Sequence, residues 1–165
     1  MNGVVFLDRD GVINADIGYL WRREDFVWIP GAPAAIRLFN ERGRPVVVVT
    51  NQSGVARGYY TEQDVESLHR WMNAELNRQG ARIDAFYFCP HHPDGAIPEY
   101  TRVCDCRKPQ PGMLLQAMED WRADPAKSVL IGDKESDVAA AAAAGIRGYL
   151  FDGKNLLEFV EDHIQ

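Results

Sequence analysis

Short, mostly apolar runs recur along the chain at Val4 to Leu7, Val46 to Val49, Ile83 to Phe88, Ser128 to Ile131 and Gly148 to Phe151. Runs of this length suit strands buried on both faces of a parallel sheet. The stretches between them carry apolar residues at helical spacing. A helix is predicted from about Ala32 to Arg42, with Ile36, Leu38 and Phe39 inward and Gly43 as its stop. Thr61 caps a second, in which Val65, Leu68, Met72 and Leu76 recur up to Gly80; its His69 and Trp71 read as structural. Pro111 opens a third, with Leu114, Leu115, Met118 and Trp121 inward. An alanine-rich fourth runs from Ala139 to Ala144 and stops at Gly145, and a terminal helix carries Leu156, Leu157, Val160 and Ile164. About five strands alternating with helices predict an α/β fold: a doubly wound parallel sheet with helices on both faces. No repeat, low-complexity segment or linker divides it, so residues 1–165 are expected to form one domain.

The polar residues that break this pattern stand at strand ends, where open α/β sheets bind their ligands. The first run stops at Asp8-Arg9-Asp10-Gly11. Two carboxylates one residue apart repel each other, and a divalent cation is the usual way to hold both ionised. Asp8 is therefore read as a nucleophile, Asp10 as a general acid/base and Mg2+ as their partner. Alone, an Asp-x-Asp would read as an acidic turn, but later segments supply what the chemistry needs. The second run stops at Thr50-Asn51-Gln52-Ser53-Gly54, short polar groups able to offer hydroxyl and N–H donors to an oxyanion, with Thr50 as the phosphate-oxygen donor. The fourth stops at Gly132-Asp133-Lys134, where Asp133 is the natural third metal ligand, supported by Asp137 from the next helix. The irregular stretch 13–30, with Asn14, Asp16, Gly18, Tyr19 and Trp21, lies beside Asp8 and is a place for substrate contacts, Trp21 being expected as a plain surface anchor.

All three cysteines fall in one segment. Cys89-Pro90-His91 is followed, after residues 92–103, by Cys104-Asp105-Cys106. Cys89, His91, Cys104 and Cys106 can close a tetrahedral, structural Zn2+ site; spacing leaves His92 as an alternative to His91. The intervening loop holds Pro93, Gly95 and Pro98 without an apolar face, so metal is a plausible source of its order. Arg107 and Lys108 follow directly. Lys108 can neutralise the nucleophile and phosphoryl oxygens as a point charge, while Arg107 can fork onto a distal substrate group.

The formal net charge is -6, with 24 acidic and 18 basic residues, so general nucleic-acid affinity is not expected. No signal peptide is visible and no apolar run approaches a membrane span, so a cytoplasmic protein without membrane or nucleic-acid partners is expected. A monomer is the expected state.

Together, Asp8-Arg9-Asp10-Gly11, Thr50-Asn51, Lys108-Pro109 and Gly132-Asp133 with Asp137 resemble the haloacid dehalogenase (HAD) superfamily of phosphotransferases. The zinc pattern of residues 89–107 narrows the resemblance to its histidinol-phosphatase and heptose-bisphosphatase group. Asp16 with Gly18-Tyr19-Leu20, the segment Ser53 to Gly58 and Gly132-Asp133-Lys134 favour the heptose side. One departure is Phe151-Asp152-Gly153-Lys154, where that group often has a Thr-Gly-rich turn. The resemblance implies a Rossmann-like, capless HAD core with a zinc-stabilised loop. Residues 9–49 and 51–107 leave no room for a lid domain. It implies hydrolysis of a small phosphosugar through an aspartyl-phosphate on Asp8. Mg2+ would be held by Asp8, the Asp10 carbonyl and Asp133, and Thr50 and Lys108 would stabilise phosphoryl charge. Substrate contacts would come from Asp16, Gly18, Tyr19, Asn51, Gln52, Ser53, Arg57, Arg107 and Lys134. Histidinol phosphate is the competing substrate. A non-catalytic receiver-like phosphoacceptor is the competing class.

Overall fold

The computed structural model describes residues 2–165. Five parallel strands form one sheet: β1 (Val5–Leu7), β2 (Val46–Asn51), β3 (Ala85–Cys89), β4 (Val129–Gly132) and β5 (Arg147–Leu150), in the order β3-β2-β1-β4-β5. Helices α1 (Ala32–Glu41), α2 (Glu62–Arg78), α3 (Gly112–Asp120), α4 (Glu135–Ala143) and α5 (Leu156–His163) alternate with them.

Strand periodicity sorts the core into two layers. Val5, Leu7, Val46 and Val48 pack with Ile36 and Phe39 of α1, Leu68 and Met72 of α2, and Leu156 and Val160 of α5. Phe6, Val47 and Val49 point the other way, onto Met113, Leu114 and Ala117 of α3 and Ala140 and Ala141 of α4. Each large apolar side chain so buried contributes roughly 1.5–3 kcal/mol. This is the doubly wound α/β sheet expected from the alternation.

Topology places the site. After β1 the chain builds outward through β2 and β3, then returns to add β4 and β5 on the other side. β1 and β4 therefore flank the switch point, where a crevice opens beyond the strand ends. Leu7 pairs with Ile131, so Asp8 and Asp133 emerge there one and two residues later.

Some boundaries differ from the sequence pattern. Ile83 is buried but lies outside the β3 ladder, because Asn73 of α2 both donates to its carbonyl and accepts from its N–H. Helix α3 starts at Gly112, with Pro111 as its N-cap residue, and the face it packs on the sheet is Met113, Leu114, Ala117 and Met118. Leu115, expected inward, is 50% exposed, one step round the helix. Thr61 does cap α2, through a reciprocal capping box with Asp64.

Candidate active site

Asp8 sits at the floor of a cleft of about 570 Å³. Its Oδ1 accepts from Lys108 Nζ at 2.9 Å and from the Arg9 N–H at 2.9 Å. Lys108 Nζ also contacts Asp137 Oδ1 at 2.6 Å and donates to the Val49 carbonyl at 3.0 Å. Both side chains are nearly inaccessible to water. Asp137 Oδ2 in turn accepts the N–H groups of Asp133 and Lys134, each at 3.1 Å, in the first turn of α4.

Burial is the largest influence on Asp8 and pushes its carboxyl up to about 7, against the pull of Lys108. Asp133 is also raised, first by burial and then by Asp137. Burial pulls the Lys108 ammonium down, but Asp8 and Asp137 outweigh it and hold it above its ordinary value. Three buried or half-buried carboxylates thus face one ammonium, and two negative charges lack a protein partner.

Asp8, Asp133 and Asp137 each offer a carboxylate oxygen, mutually within 4.8 Å. Asp137 is engaged by Lys108 and two backbone N–H groups, whereas Asp133 Oδ1 is buried with no partner. Gly11 adopts φ +89°, and a Cβ there would meet Asp133 Oδ2 at 2.0 Å. Only glycine lets the turn after Asp10 come this close to the third carboxylate. Unbalanced charge, an orphaned buried oxygen and oxygen-only donors fit a small hard divalent cation.

Asp10 is held from several sides. Arg9 donates to Oδ1 and Oδ2, Asn14 Nδ2 donates to Oδ1 at 2.9 Å and Gln52 Nε2 to Oδ2 at 3.2 Å. Gln52 Nε2 also donates to Thr50 Oγ1 at 2.9 Å, and Tyr60 donates to its Oε1 at 2.6 Å. The Thr50 hydroxyl accepts from Gln52 and donates only over a long 3.5 Å contact to the Asn51 carbonyl, so its proton can turn to a group in the cleft.

The cleft brings together every residue expected to catalyse or bind substrate: Asp8, Asp10, Thr50 and Lys108 with Asp16, Gly18, Tyr19, Asn51, Gln52, Ser53, Arg57, Arg107 and Lys134. Two of these have other engagements. Asn51 pairs with the backbone of Lys108 through both its Oδ1 and its Nδ2, and Gln52 is engaged with Thr50, Asp10 and Tyr60. Their amides orient Lys108, Thr50 and Asp10. Tyr19 projects from the 13–23 wall in a left-handed conformation, φ 55°, edge-on to Tyr59 at 4.8 Å and 5.8 Å from the Arg57 guanidinium. Lys134 lies 3.8 Å from Asp16 across the mouth. Trp21 lines a separate surface groove beside α2, and Trp28 meets Phe26 edge to face.

At the other wall, Cys89, His91, Cys104 and Cys106 converge. His91 Nδ1 lies 3.6 Å from Cys89 Sγ and 3.4 Å from Cys106 Sγ, and both other cysteines lie 3.5 Å from Cys104 Sγ. Bonds of about 2.0–2.3 Å in a tetrahedral zinc site set ligand atoms roughly 3.5–3.8 Å apart, so this cluster has the right size. Hydrogen bonding, first from Cys89, lowers the Cys106 thiol to about 5. His92 lies outside the cluster, with Nε2 3.2 Å from Arg57 Nη2. The loop docks on the opposite segment, where Ala96 and Ile97 both donate to the Ala56 carbonyl.

Sequence reasoning missed Arg9, Asn14, Tyr60 and His69 as parts of this site. Asn14 was within the stretch marked for substrate contacts; nothing in the local pattern singles out the other three.

Comparison with known proteins agrees with this geometry. Residues 5–70 match the haloacid dehalogenase-like hydrolase family, and residues 105–155 match a HAD-hydrolase-like family. The chain is 53% identical over 156 residues to the D-glycero-beta-D-manno-heptose-1,7-bisphosphate 7-phosphatase of Rhodopseudomonas palustris, covering 94% of this chain and 87% of that protein. It is 48% identical over 142 residues to the Escherichia coli K12 protein of the same name, covering 86% and 74%. Among solved structures, a D,D-heptose 1,7-bisphosphate phosphatase from B. bronchiseptica, complexed with magnesium and phosphate, superposes with a TM-score of 0.82 at 32% identity, over 98% of this chain and 87% of that one.

Proposed function

Since the chain belongs to the haloacid dehalogenase-like hydrolases, we propose that it removes the 7-phosphate of D-glycero-β-D-manno-heptose 1,7-bisphosphate. The observation that carries this is the pairing of Asp8, read as nucleophile, with Asp10, read as acid/base, in one open cleft that Arg57 and Arg107 also line.

Asp8 attacks phosphorus in line as the bond to the sugar oxygen breaks, and Asp10 gives that oxygen a proton. Water then attacks the aspartyl-phosphate, Asp10 takes its proton, and the bond to Asp8 breaks to release inorganic phosphate. Lys108 and the Thr50 hydroxyl face the phosphoryl oxygens and stabilise charge that grows there. Mg2+, bound by Asp8, Asp133 and the Asp10 carbonyl, would neutralise carboxylate and phosphoryl charge together. Because water reaches this cleft without a lid to exclude it, catalysis rests on fixed groups rather than on closure.

Arg57, Arg107 and Lys134 are offered to the second phosphate, and Arg57 Nε is buried without a partner. Tyr19 supports the sugar. The Cys/His cluster is assigned to one structural Zn2+, which holds residues 89–107 against the substrate wall. We assign the chain to one domain, working as a monomer in the cytoplasm. Its three free cysteines suit a reducing compartment, and among the described residues no helix is long and apolar enough to cross a membrane.

The test is phosphate release with Mg2+ from the α and β anomers of heptose 1,7-bisphosphate and from histidinol phosphate. A kcat/KM preference of tenfold or more for the β anomer, about 1.4 kcal/mol of transition-state discrimination, is expected. A preference for histidinol phosphate would overturn the substrate assignment.

A further inference from the structure

Arg9 stands between Asp8 and Asp10 in sequence and is 0% exposed. Its fork grips the Asp10 carboxylate. Nε donates to Oδ1 at 3.1 Å, and Nη2 reaches Oδ1 at 3.0 Å and Oδ2 at 3.2 Å. Nη2 also donates to the Leu20 carbonyl of the cleft wall at 3.0 Å. The third nitrogen, Nη1, lies 3.2 Å from His69 Nε2 on α2.

A guanidinium has only donors, so His69 must present a lone pair at Nε2 and carry its proton on Nδ1. Burial, and then the charge of Arg9, push this imidazole down to about 2, so it stays a neutral acceptor. Its ring is fixed by stacking on Phe86 at 4.3 Å.

The arrangement differentiates the two oxygens of Asp10. Oδ1 takes Arg9 Nε, Arg9 Nη2 and Asn14, whereas Oδ2 takes only the longer bonds from Arg9 Nη2 and Gln52. Oδ2 is therefore the less tightly held of the two oxygens. A buried guanidinium is costly unless its partners are well placed, and here all three of its nitrogens are engaged.

We propose that Arg9 is a positioning residue of this reaction: its fork turns Oδ2 of Asp10 toward the leaving oxygen, and His69 holds the fork in place. The proposal rests on the phosphatase reading above. Arg9 touches neither substrate nor phosphorus in this role. It acts through Asp10, in both proton transfers.

The experiment uses 4-nitrophenyl phosphate with Mg2+. Its leaving group departs with little need for a proton, so Asp10 matters mainly for hydrolysis of the aspartyl-phosphate. Single-turnover nitrophenol release and steady-state turnover are compared for the unsubstituted protein, Arg9→Lys, His69→Leu and His69→Gln, each with its melting temperature. Expected are first-release rates within about twofold for Arg9→Lys and His69→Leu, with steady-state rates down roughly 10- to 100-fold. His69→Gln keeps an acceptor and should recover most of the His69→Leu loss. Release and turnover falling in parallel, or neither falling, would overturn the proposal. So would a His69→Gln as impaired as His69→Leu. If Arg9→Lys does not fold, the two His69 variants decide by the same comparison. No turnover by the unsubstituted protein would instead overturn the phosphatase reading.

Discussion

Lys108 Nζ lies 2.9 Å from Asp8 Oδ1, across 100 residues of sequence. The ammonium reaches Asp8 because the loop that carries the Cys/His cluster returns the chain to the sheet beside β2, where Asn51 clasps the Lys108 backbone. Lys108→Gln removes the one cation against Asp8 and Asp137. A loss of roughly 10²–10³ in kcat is expected in steady-state assays. The metal-free melting temperature should fall as well, because breaking a buried ion pair from one side costs about 3–5 kcal/mol.

Asp8 links metal binding to pH. Burial raises its carboxyl from 3.8 to about 7 in the metal-free fold. An acid raised on folding takes up protons between these values, so its contribution weakens the metal-free fold as pH rises from about 4 to 7. The cation needs the ionised form. Calorimetric Mg2+ titrations should therefore show nearly constant affinity above pH 7 and a fall of roughly tenfold per pH unit below it. An Asp8→Asn protein should lose that slope, and its phosphate release should stay below about a few per cent of the unsubstituted protein. Its fold should survive, since it sheds a buried charge.

Gly11→Ala tests the approach of the first loop to Asp133. The new methyl would need a left-handed backbone and the space held by the Asp133 carboxylate. Mg2+ affinity, read by calorimetry, should fall at least roughly tenfold, and stability by about 1–3 kcal/mol in denaturant titration.

Zinc content is expected at about one equivalent per chain by elemental analysis of protein purified without chelator. Chelation should raise hydrogen exchange selectively across residues 89–107. It should raise KM more than it lowers kcat, because Arg57, which leans on His92, and Arg107, which follows Cys106, lie in the substrate wall.

What could be read from the sequence was whatever lies at a strand end. Asp8, Thr50 and Asp133 each follow an apolar run directly, and a parallel sheet delivers such positions to one edge. The Cys/His cluster of 89–106 was readable from spacing; the choice of His91 over His92 as its member needed the direction of each ring. Leu115 was misread because apolar type alone does not say which of two adjacent leucines faces the sheet; Leu114 does, and Leu115 stands one step round the helix. Arg9 and His69 lie 60 residues apart and share no periodic pattern. Asn51 and Gln52 line the cleft as their types suggested, but their hold on Lys108 and Thr50 joins residues that no local pattern connects.

The two-sided burial of β1 has a consequence for how this molecule can change over time. Val5 and Leu7 belong to one core layer and Phe6 to the other, so the strand that carries Asp8 opens only when both layers do. Its amides should be among the slowest in the protein to exchange. Tyr19 and Arg57 ride on surface segments that no strand holds. On the proposed reading, the reacting group is mounted on a strand held from both faces and the selecting groups on the molecule's most replaceable parts. Such a division lets descendants acquire new substrates by loop exchange while inheriting the chemistry intact.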